Sequence, residues 1–169
     1  MGVLVRRLLA AVLLAGLPLA AAAQGAEVPL GAFAADPSLP VEVTADRLSV
    51  DQADGTAVFS GNVVISQGEM RLGAAEVRIT YAAGSEGASG RIERLEATGG
   101  VTLVGGTEAA EAREAVYTIA SGTIVMTGDV LVTQGRSALS SQKLTVNLQT
   151  GAGLLEGGVR TILQPSTSP

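Results

Sequence analysis

The sequence predicts an all-β protein built as a stack of bent antiparallel rungs. The phrase FSGNVVISQG at residues 59–68 returns three times, as ATGGVTLVGG from residue 97, MTGDVLVTQG from residue 126 and LEGGVRTILQ from residue 155. In each copy a Gly stands two residues before a Val, and the steps between these glycines are 38, 29 and 29 residues. A repeat near 30 residues is typical of stacked supersecondary units. Alternating apolar residues and regularly placed turn signals indicate that the units are made of strands.

The first 23 residues have the pattern of a secretory signal peptide. Arg6 and Arg7 precede an apolar run over residues 8–17, and Ala21 to Ala23 fits an A-x-A cleavage site. The apolar run is shorter than the roughly 20 residues that a spanning helix needs. We therefore expect residues 1–23 to be cleaved after export, with an uncleaved membrane anchor as the alternative.

The composition of the remaining chain excludes several classes of function. Removal of residues 1–23 leaves nine basic residues against 16 acidic ones, a net charge of −7, so nucleic acid is not an expected partner. The chain has no His, Cys or Trp after residue 23, which removes disulfides, the common zinc sites and the usual His- or Cys-based catalytic pairs. We expect no catalytic residue, metal or cofactor. Glu108, Glu111 and Glu114 are expected to lie in a solvated segment.

The strands are predicted from period-two alternation after residue 40. It is clear at residues 48–50, 77–79 and 144–148, and no Pro occurs between residues 41 and 164 to interrupt a ladder. Glycines that predict turns lie six residues before the unit Gly in three units: Gly55, Gly122 and Gly151. The second unit matches the others once about nine residues are assigned to a loop within residues 82–91.

The repeated glycines, at positions 61, 99, 128 and 157, are predicted to bend each rung. Bent rungs that stack in register form a trough, and residues at equal offsets from the glycines should line its inner walls. The spacing alone leaves open whether this interior is a packed core or is open to a ligand. The residues predicted to line it from their offsets are Leu48, Val50, Phe59, Val63, Ile65, Val77, Ile79, Val101, Leu103, Tyr117, Met126, Val130, Val132, Leu144 and Val146.

At this point the chain resembles the LptA/OstA-like family of periplasmic lipopolysaccharide transport proteins of Gram-negative bacteria. The resemblance begins with PVEV at residues 40–43 and Ala45-Asp46. It continues with the pattern F-x-G-N-V at residues 59–63 and Gln67-Gly68, and GGVRTILQPS at residues 157–166 resembles the family's ending. It covers residues 40–165, which we therefore expect to be one OstA-like domain.

The resemblance implies both a fold and a function. The family fold is an elongated, twisted, partly open antiparallel β-jelly roll, often called a β-taco, whose interior carries the acyl chains of lipopolysaccharide. Family members are not enzymes; they join head to tail and to related domains of the inner-membrane and outer-membrane machinery. The resemblance also implies lipid contacts at Val41, near Leu103 and Val104, and at Ile119. Val43, in the matching PVEV segment, is expected to line the trough as well. Other members carry bulky aromatic residues near these positions, whereas this chain carries aliphatic ones.

Three other interpretations remain open from the sequence. A secreted β-solenoid acting as a structural or adhesive filament would also explain the repeats. The inner-membrane-anchored partner of the same family would carry the same domain behind a spanning helix, and a carbohydrate-active enzyme would need a carboxylate pair that does not stand out.

The two ends of the stack predict how copies of the protein assemble. The first strand, expected at residues 41–50, has Pro40 only at its start, and the last, expected at residues 154–163, has no Pro until Pro165. Both therefore look like unprotected edges, which favours head-to-tail pairing between copies. Residues 24–39, rich in Ala and Pro, are expected to be a flexible N-terminal segment, and residues 166–169 a short tail. The alternative is that one of these two segments folds back and covers an end.

Overall fold

The computed structural model describes residues 25–36, 38–51, 53–82 and 90–162. The expected signal peptide and the tail lie outside the described residues. One short 3-10 turn, Gly31–Phe33, is the only helical element in the described part, where no helix is long and apolar enough to cross a membrane. The strands are β1 (Ala26–Pro29), β2 (Glu42–Thr44), β3 (Arg47–Asp51), β4 (Thr56–Gln67), β5 (Met70–Tyr81), β6 (Ile92–Thr98), β7 (Val101–Gly105), β8 (Glu108–Ala112), β9 (Glu114–Thr118), β10 (Thr123–Gln134), β11 (Ser137–Asn147), β12 (Ala152–Glu156) and β13 (Arg160–Ile162).

These strands form two half-sheets that share their longest members. Half-sheet A has the order β3-β4-β5-β6-β9-β10-β11-β12-β1, and half-sheet B has the order β2-β4-β5-β7-β8-β10-β11-β13. All of these pairs are antiparallel, and β4, β5, β10 and β11 run through both half-sheets. The predicted fold class, a twisted antiparallel β-jelly roll that does not close into a barrel, is confirmed.

The two half-sheets meet at the bends predicted from the repeated glycines. At each bend two consecutive residues have positive φ, as in Gly128 (φ 84°) and Asp129 (φ 49°). In β4, Ser60 pairs with Glu76 and Val63 with Ala74, so two residues of one strand oppose a single residue of the other, as in a β-bulge. The sequence predicted a bend at each glycine, but not that the next residue would also have positive φ. In all four bends this next residue is Asn, Asp or Gly, the residues that adopt this backbone conformation most readily.

The core lies between the inner faces of the half-sheets. Alternate residues of each strand point inward and are shielded from solvent, as in the buried-exposed pattern of β7. The strand-joining turns lie along two rims. We call rim A the turns at residues 53–55, 119–122 and 148–151, and rim B the turns at residues 68–69, 106–107 and 135–136. The gap between the two rims is called the mouth.

The expectation of a flexible segment over residues 24–39 was wrong for residues 25–36, the part that carries regular structure among the described residues. Ala26–Pro29 is a strand that pairs with β12, and Leu30 and Phe33 have no exposed surface. A prediction from Ala and Pro content takes no account of the apolar residues spaced through this segment. These residues pack against a surface that exists only after the repeats have folded. The segment therefore covers β12, and β1 takes its place as the edge of half-sheet A.

Candidate functional site

The inner surface between the half-sheets holds most of the predicted lining. Twelve of the predicted residues are at most 2% exposed. They come from six strands and follow one another across successive rungs, so the apolar surface is continuous along the stack. These residues are Val63, Ile65, Val77, Ile79, Val101, Leu103, Tyr117, Met126, Val130, Val132, Leu144 and Val146.

Four further predicted residues lie at the margins of this surface. Val41, Val43, Phe59 and Ile119 are partly buried and pack against the core. Val43 pairs with the buried Ile65, so it faces the interior from the edge strand β2. These residues extend the apolar surface towards the mouth and towards one end of the stack.

Leu48 and Val50 face the interior but are not covered. They pair with Phe59 and with the buried Ala57, so they share the inner face of half-sheet A. They lie on its first strand, β3, at the end of the stack, and they remain 51% and 43% exposed. The trough is therefore open at this end, where it presents apolar side chains to solvent.

The prediction that Val104 lines the interior was wrong. Its neighbours Leu103 and Gly105 are buried, whereas Val104 is 40% exposed and pairs with Arg71 on the outer face of half-sheet B. Because side chains alternate across a strand, Leu103 and Val104 cannot both face the interior. The resemblance could place the contact only near these two residues, and the strand alternation assigns it to Leu103.

One polar bridge crosses the buried interior. The Tyr117 hydroxyl on β9 donates a hydrogen bond of 2.9 Å to Gln67 Oε1 at the end of β4, and Gln67 Nε2 donates one of 3.1 Å to the Leu39 carbonyl oxygen. Gln67 is 1% exposed and Tyr117 2%. The bridge ties half-sheet A to rim B near the mouth. Burial raises the pKa of Tyr117 above its ordinary value, because the charged phenolate would lose its hydration.

A second polar cluster lies on rim B, and its carboxylate corrects a prediction. Glu108, expected to be solvated, is 7% exposed. Its carboxylate accepts hydrogen bonds from the Ala32 backbone N–H at 3.1 Å and from Gln134 Nε2 at 2.6 Å. Gln134 Nε2 also lies 2.8 Å from the Pro29 carbonyl oxygen, to which it donates. The cluster therefore holds the N-terminal segment against rim B.

The sequence carries a signal for these contacts. Gln67 and Gln134 each follow their unit Gly by six residues, and each precedes a Gly at the turn. Both amides donate to backbone carbonyls of the N-terminal segment, at Leu39 and Pro29. A repeated Gln-Gly turn thus marks where this segment is attached to rim B.

The chemistry of the interior is that of an apolar container. Within the described ranges, no group of three or more acidic residues is placed to hold a metal ion. The inner walls are dominated by Val, Leu, Ile and Met, with the Tyr117–Gln67 bridge as their polar feature. Such a surface can exclude water from hydrocarbon chains and offers no nucleophile beside a base.

Comparison with known proteins identifies the family. The model of the family described as LptA/(LptD N-terminal domain) LPS transport protein matches residues 42–152, more than half of the chain. The chain belongs to this family. The resemblance found in the sequence is therefore confirmed, and the protein is an LptA-like lipopolysaccharide transport protein.

Two individual relatives are similar to this chain over most of its length. The lipopolysaccharide export system protein LptA of Escherichia coli K12 is 27% identical over 160 residues, which cover 89% of this chain and 84% of the relative. An uncharacterised protein of Rhizobium meliloti is 27% identical over 135 residues, covering 76% and 73% of the two chains.

A solved structure shares the fold of this LptA-like chain. The crystal structure of LptH, described as the LptA homologous periplasmic component of the lipopolysaccharide transport device of Pseudomonas aeruginosa, superimposes with a TM-score of 0.66. The match covers 78% of this chain and 99% of LptH at 18% sequence identity, so it bears on the fold alone.

Proposed function

We propose that this protein is a periplasmic lipopolysaccharide carrier that holds acyl chains between its half-sheets and passes the lipid from the inner to the outer membrane. The observation that carries the proposal is the apolar inner surface, which continues through every rung and opens at one end beside Leu48 and Val50. Membership of the LptA family supports lipopolysaccharide as the lipid.

The charge of the chain indicates that binding depends on apolar burial. With a net charge of −7 after removal of residues 1–23, the protein gains little from the phosphates of lipopolysaccharide. Each methylene removed from water contributes about 0.8 kcal/mol, so burial of roughly ten methylenes provides about 8 kcal/mol before the ordering cost is subtracted. The sugars can remain in water while the acyl chains enter through the mouth.

No chemical step is required of this chain. Successive rungs present similar aliphatic walls, so a lipid can move from one to the next between sites of similar affinity. The all-antiparallel rungs also favour a lipid-binding jelly roll over a β-solenoid filament, whose coils usually close around a packed core.

Export to the periplasm and assembly with other β-domains complete the proposal. The pattern of residues 1–23 supports a cleavable signal peptide. Strands β2 and β3 form the edges of the half-sheets at one end, and β1 and β13 form them at the other. These edges can add strands from another copy, or from the inner-membrane-anchored and outer-membrane partner domains of the same family.

Site-specific photo-crosslinking tests the carrier function. We expect a photo-reactive residue at Val63, Val101 or Val130, each 1% exposed, to capture lipopolysaccharide. The matched controls lie on the bends at Asn62 and Asp129, one residue away from two of these positions and exposed to solvent. Equal capture at inner and bend positions, or capture at neither, would contradict the proposal.

A further inference from the structure

The N-terminal segment closes the mouth by bonding to both rims. We call residues 30–35 the strap. The Leu30 and Ala35 backbone N–H groups donate to the Gly151 and Leu148 carbonyl oxygens at and beside rim A, at 2.7 and 2.9 Å. The Ala32 N–H donates to the Glu108 carboxylate beside rim B at 3.1 Å. The strap therefore spans the opening through which a lipid would enter from the side.

The strap is seated by two apolar anchors in glycine-lined recesses. Leu30 and Phe33 are fully buried. A Cβ at Gly105 would lie 2.1 Å from the Ala32 carbonyl oxygen, and one at Gly153 would lie 2.4 Å from Leu30 Cδ1. Neither glycine has the positive φ that would require it for backbone reasons. Their small size is therefore needed for the close approach of the strap.

The Leu30 and Phe33 side chains of the strap fill the mouth with hydrocarbon. Leu30 and Phe33 belong to the same core cluster as the inner walls, including Leu103 and Leu148. Together their side chains hold about as many carbon atoms as one medium-length fatty acyl chain. An acyl chain entering here would contact the same walls, so it could replace the anchors without leaving apolar surface exposed.

The strap is also held by elements that can separate from the stack. Its N-terminal anchor, β1, is a four-residue edge strand that pairs only with β12 among the described strands. The 3-10 turn Gly31–Phe33 has no side-chain cap, and the contact of Ala32 with rim B is to a side chain. The pairings of the bent rungs with one another do not involve the strap.

From these observations we propose that the strap is an intramolecular plug that must leave the mouth before acyl chains can bind. Leu30 and Phe33 occupy the entry site in the empty protein, and the lipid displaces them. The inference rests on the proposed carrier function. It adds that the mouth of the empty carrier is closed and that strap release controls how fast and how tightly lipid loads through the mouth.

A disulfide can lock the strap in place. A Cβ at Gly106 would lie 3.3 Å from the Ala32 Cβ, slightly less than the roughly 3.5–4.5 Å usual across disulfides, and the natural chain has no Cys to interfere. Gly106 has φ 52°, so a side chain there strains the turn in the oxidised and the reduced form alike. In the double variant Ala32→Cys, Gly106→Cys, we expect the oxidised form to bind lipopolysaccharide at least tenfold more weakly than the form reduced with dithiothreitol. The probe is purified lipopolysaccharide, with binding measured on the same preparation before and after reduction.

The complementary experiment loosens the strap. Gly105→Ala should push Ala32 away, whereas Gly73→Ala is a matched control because its Cβ would meet nothing closer than 4.0 Å. We expect faster hydrogen exchange at the Leu30 and Ala35 amides in Gly105→Ala without lipid, and lipopolysaccharide association several-fold faster than in wild type. Gly73→Ala should match wild type in both measurements.

The outcomes separate this inference from the carrier function. If the reduced double variant binds lipopolysaccharide and the oxidised form binds equally well, the plug is refuted and the carrier function stands. If Gly105→Ala exposes the strap amides without changing the association rate, the plug is likewise refuted. If wild type binds no lipopolysaccharide, the carrier function fails and the plug fails with it.

Discussion

At the scale of single residues, the interior combines aliphatic walls with one polar bridge whose members depend on each other. Tyr117 donates to Gln67 Oε1, and Gln67 in turn donates to the Leu39 carbonyl oxygen. Both side chains are almost fully buried, so neither can exchange its partner for water. A buried polar group that loses its partner keeps the cost of desolvation, which makes this bridge more sensitive to substitution than its surroundings.

Removal of the Tyr117 hydroxyl tests the bridge. Tyr117→Phe leaves Gln67 Oε1 buried without its donor, so we expect the free energy of unfolding to fall by about 1–3 kcal/mol in urea denaturation. Tyr81→Phe is the matched control, since Tyr81 is only partly buried, and it should stay within about 0.5 kcal/mol of wild type. Equal effects of the two substitutions would show that the bridge adds no stability.

The same hydroxyl should give the protein an alkaline limit. Burial raises the folded-state pKa of Tyr117 above the ordinary value of 10.0, so the unfolded chain ionises first as the pH rises. Its contribution is fully present below pH 10.0 and is lost as the pH climbs towards the raised pKa. We expect the stability difference between wild type and Tyr117→Phe to shrink above that pH. A difference that stays constant through this range would contradict the raised pKa.

At the scale of elements, the bends decide how each rung is divided between the half-sheets. The positive-φ pair Gly128-Asp129 turns β10, and Arg113 on the neighbouring rung forms an ion pair with Asp129 across the bend. Asn62 and Asp46 occupy the equivalent positions two repeats earlier, with a hydrogen bond of 2.8 Å from Asn62 Nδ2 to Asp46 Oδ2. These contacts are exposed, so backbone conformation contributes more to the bend than the side-chain pairs do.

Substitution of the bend glycine measures that contribution. Gly128 has φ 84°, and a Cβ there would lie 3.0 Å from the Arg113 side chain. We expect Gly128→Val to lower the free energy of unfolding by more than about 1 kcal/mol, because a β-branched residue is strained at positive φ. Gly73→Val places the same side chain at a strand glycine without positive φ and should cost less. A Gly128→Val protein with the melting temperature of wild type would show that the bend tolerates side chains.

At the scale of the whole molecule, the two ends of the stack differ. One end presents the edges β2 and β3 with the uncovered Leu48 and Val50, and the other presents β1 and β13. The N-terminal segment has changed which strand is offered, since β1 now forms the edge of half-sheet A in place of β12. Unlike ends favour a heterologous contact, which extends into open chains instead of closing as a dimer.

Light scattering over a concentration series tests this assembly. We expect the wild-type mass to grow with concentration, and the double variant Arg160→Pro, Ile162→Pro to remain a monomer, because proline removes backbone donors from the edge strand β13. The control Arg160→Ala, Ile162→Ala keeps those donors and should assemble like wild type. A wild type that stays monomeric throughout would refute self-assembly, and equal loss in both variants would refute pairing through this edge.

The repeat, the bends and most of the inner face follow from the amino-acid sequence alone. Period-two alternation assigns Val63, Val101 and Val130 to one face whatever the tertiary contacts are, and a glycine within a strand pattern marks a bend. Both are local properties of the backbone, so they can be read without knowing what each strand packs against.

What covers the trough, in contrast, depends on contacts that exist only in the folded molecule. Leu48 and Val50 follow the same alternation as buried residues but lie on an end strand, while Glu108 is buried because the Ala32 N–H and Gln134 meet it on rim B. The recesses that hold Leu30 and Phe33 are likewise formed by distant parts of the chain, which meet only after the rungs have stacked. Burial of this kind depends on contacts between residues far apart in sequence, and local patterns carry no information about them.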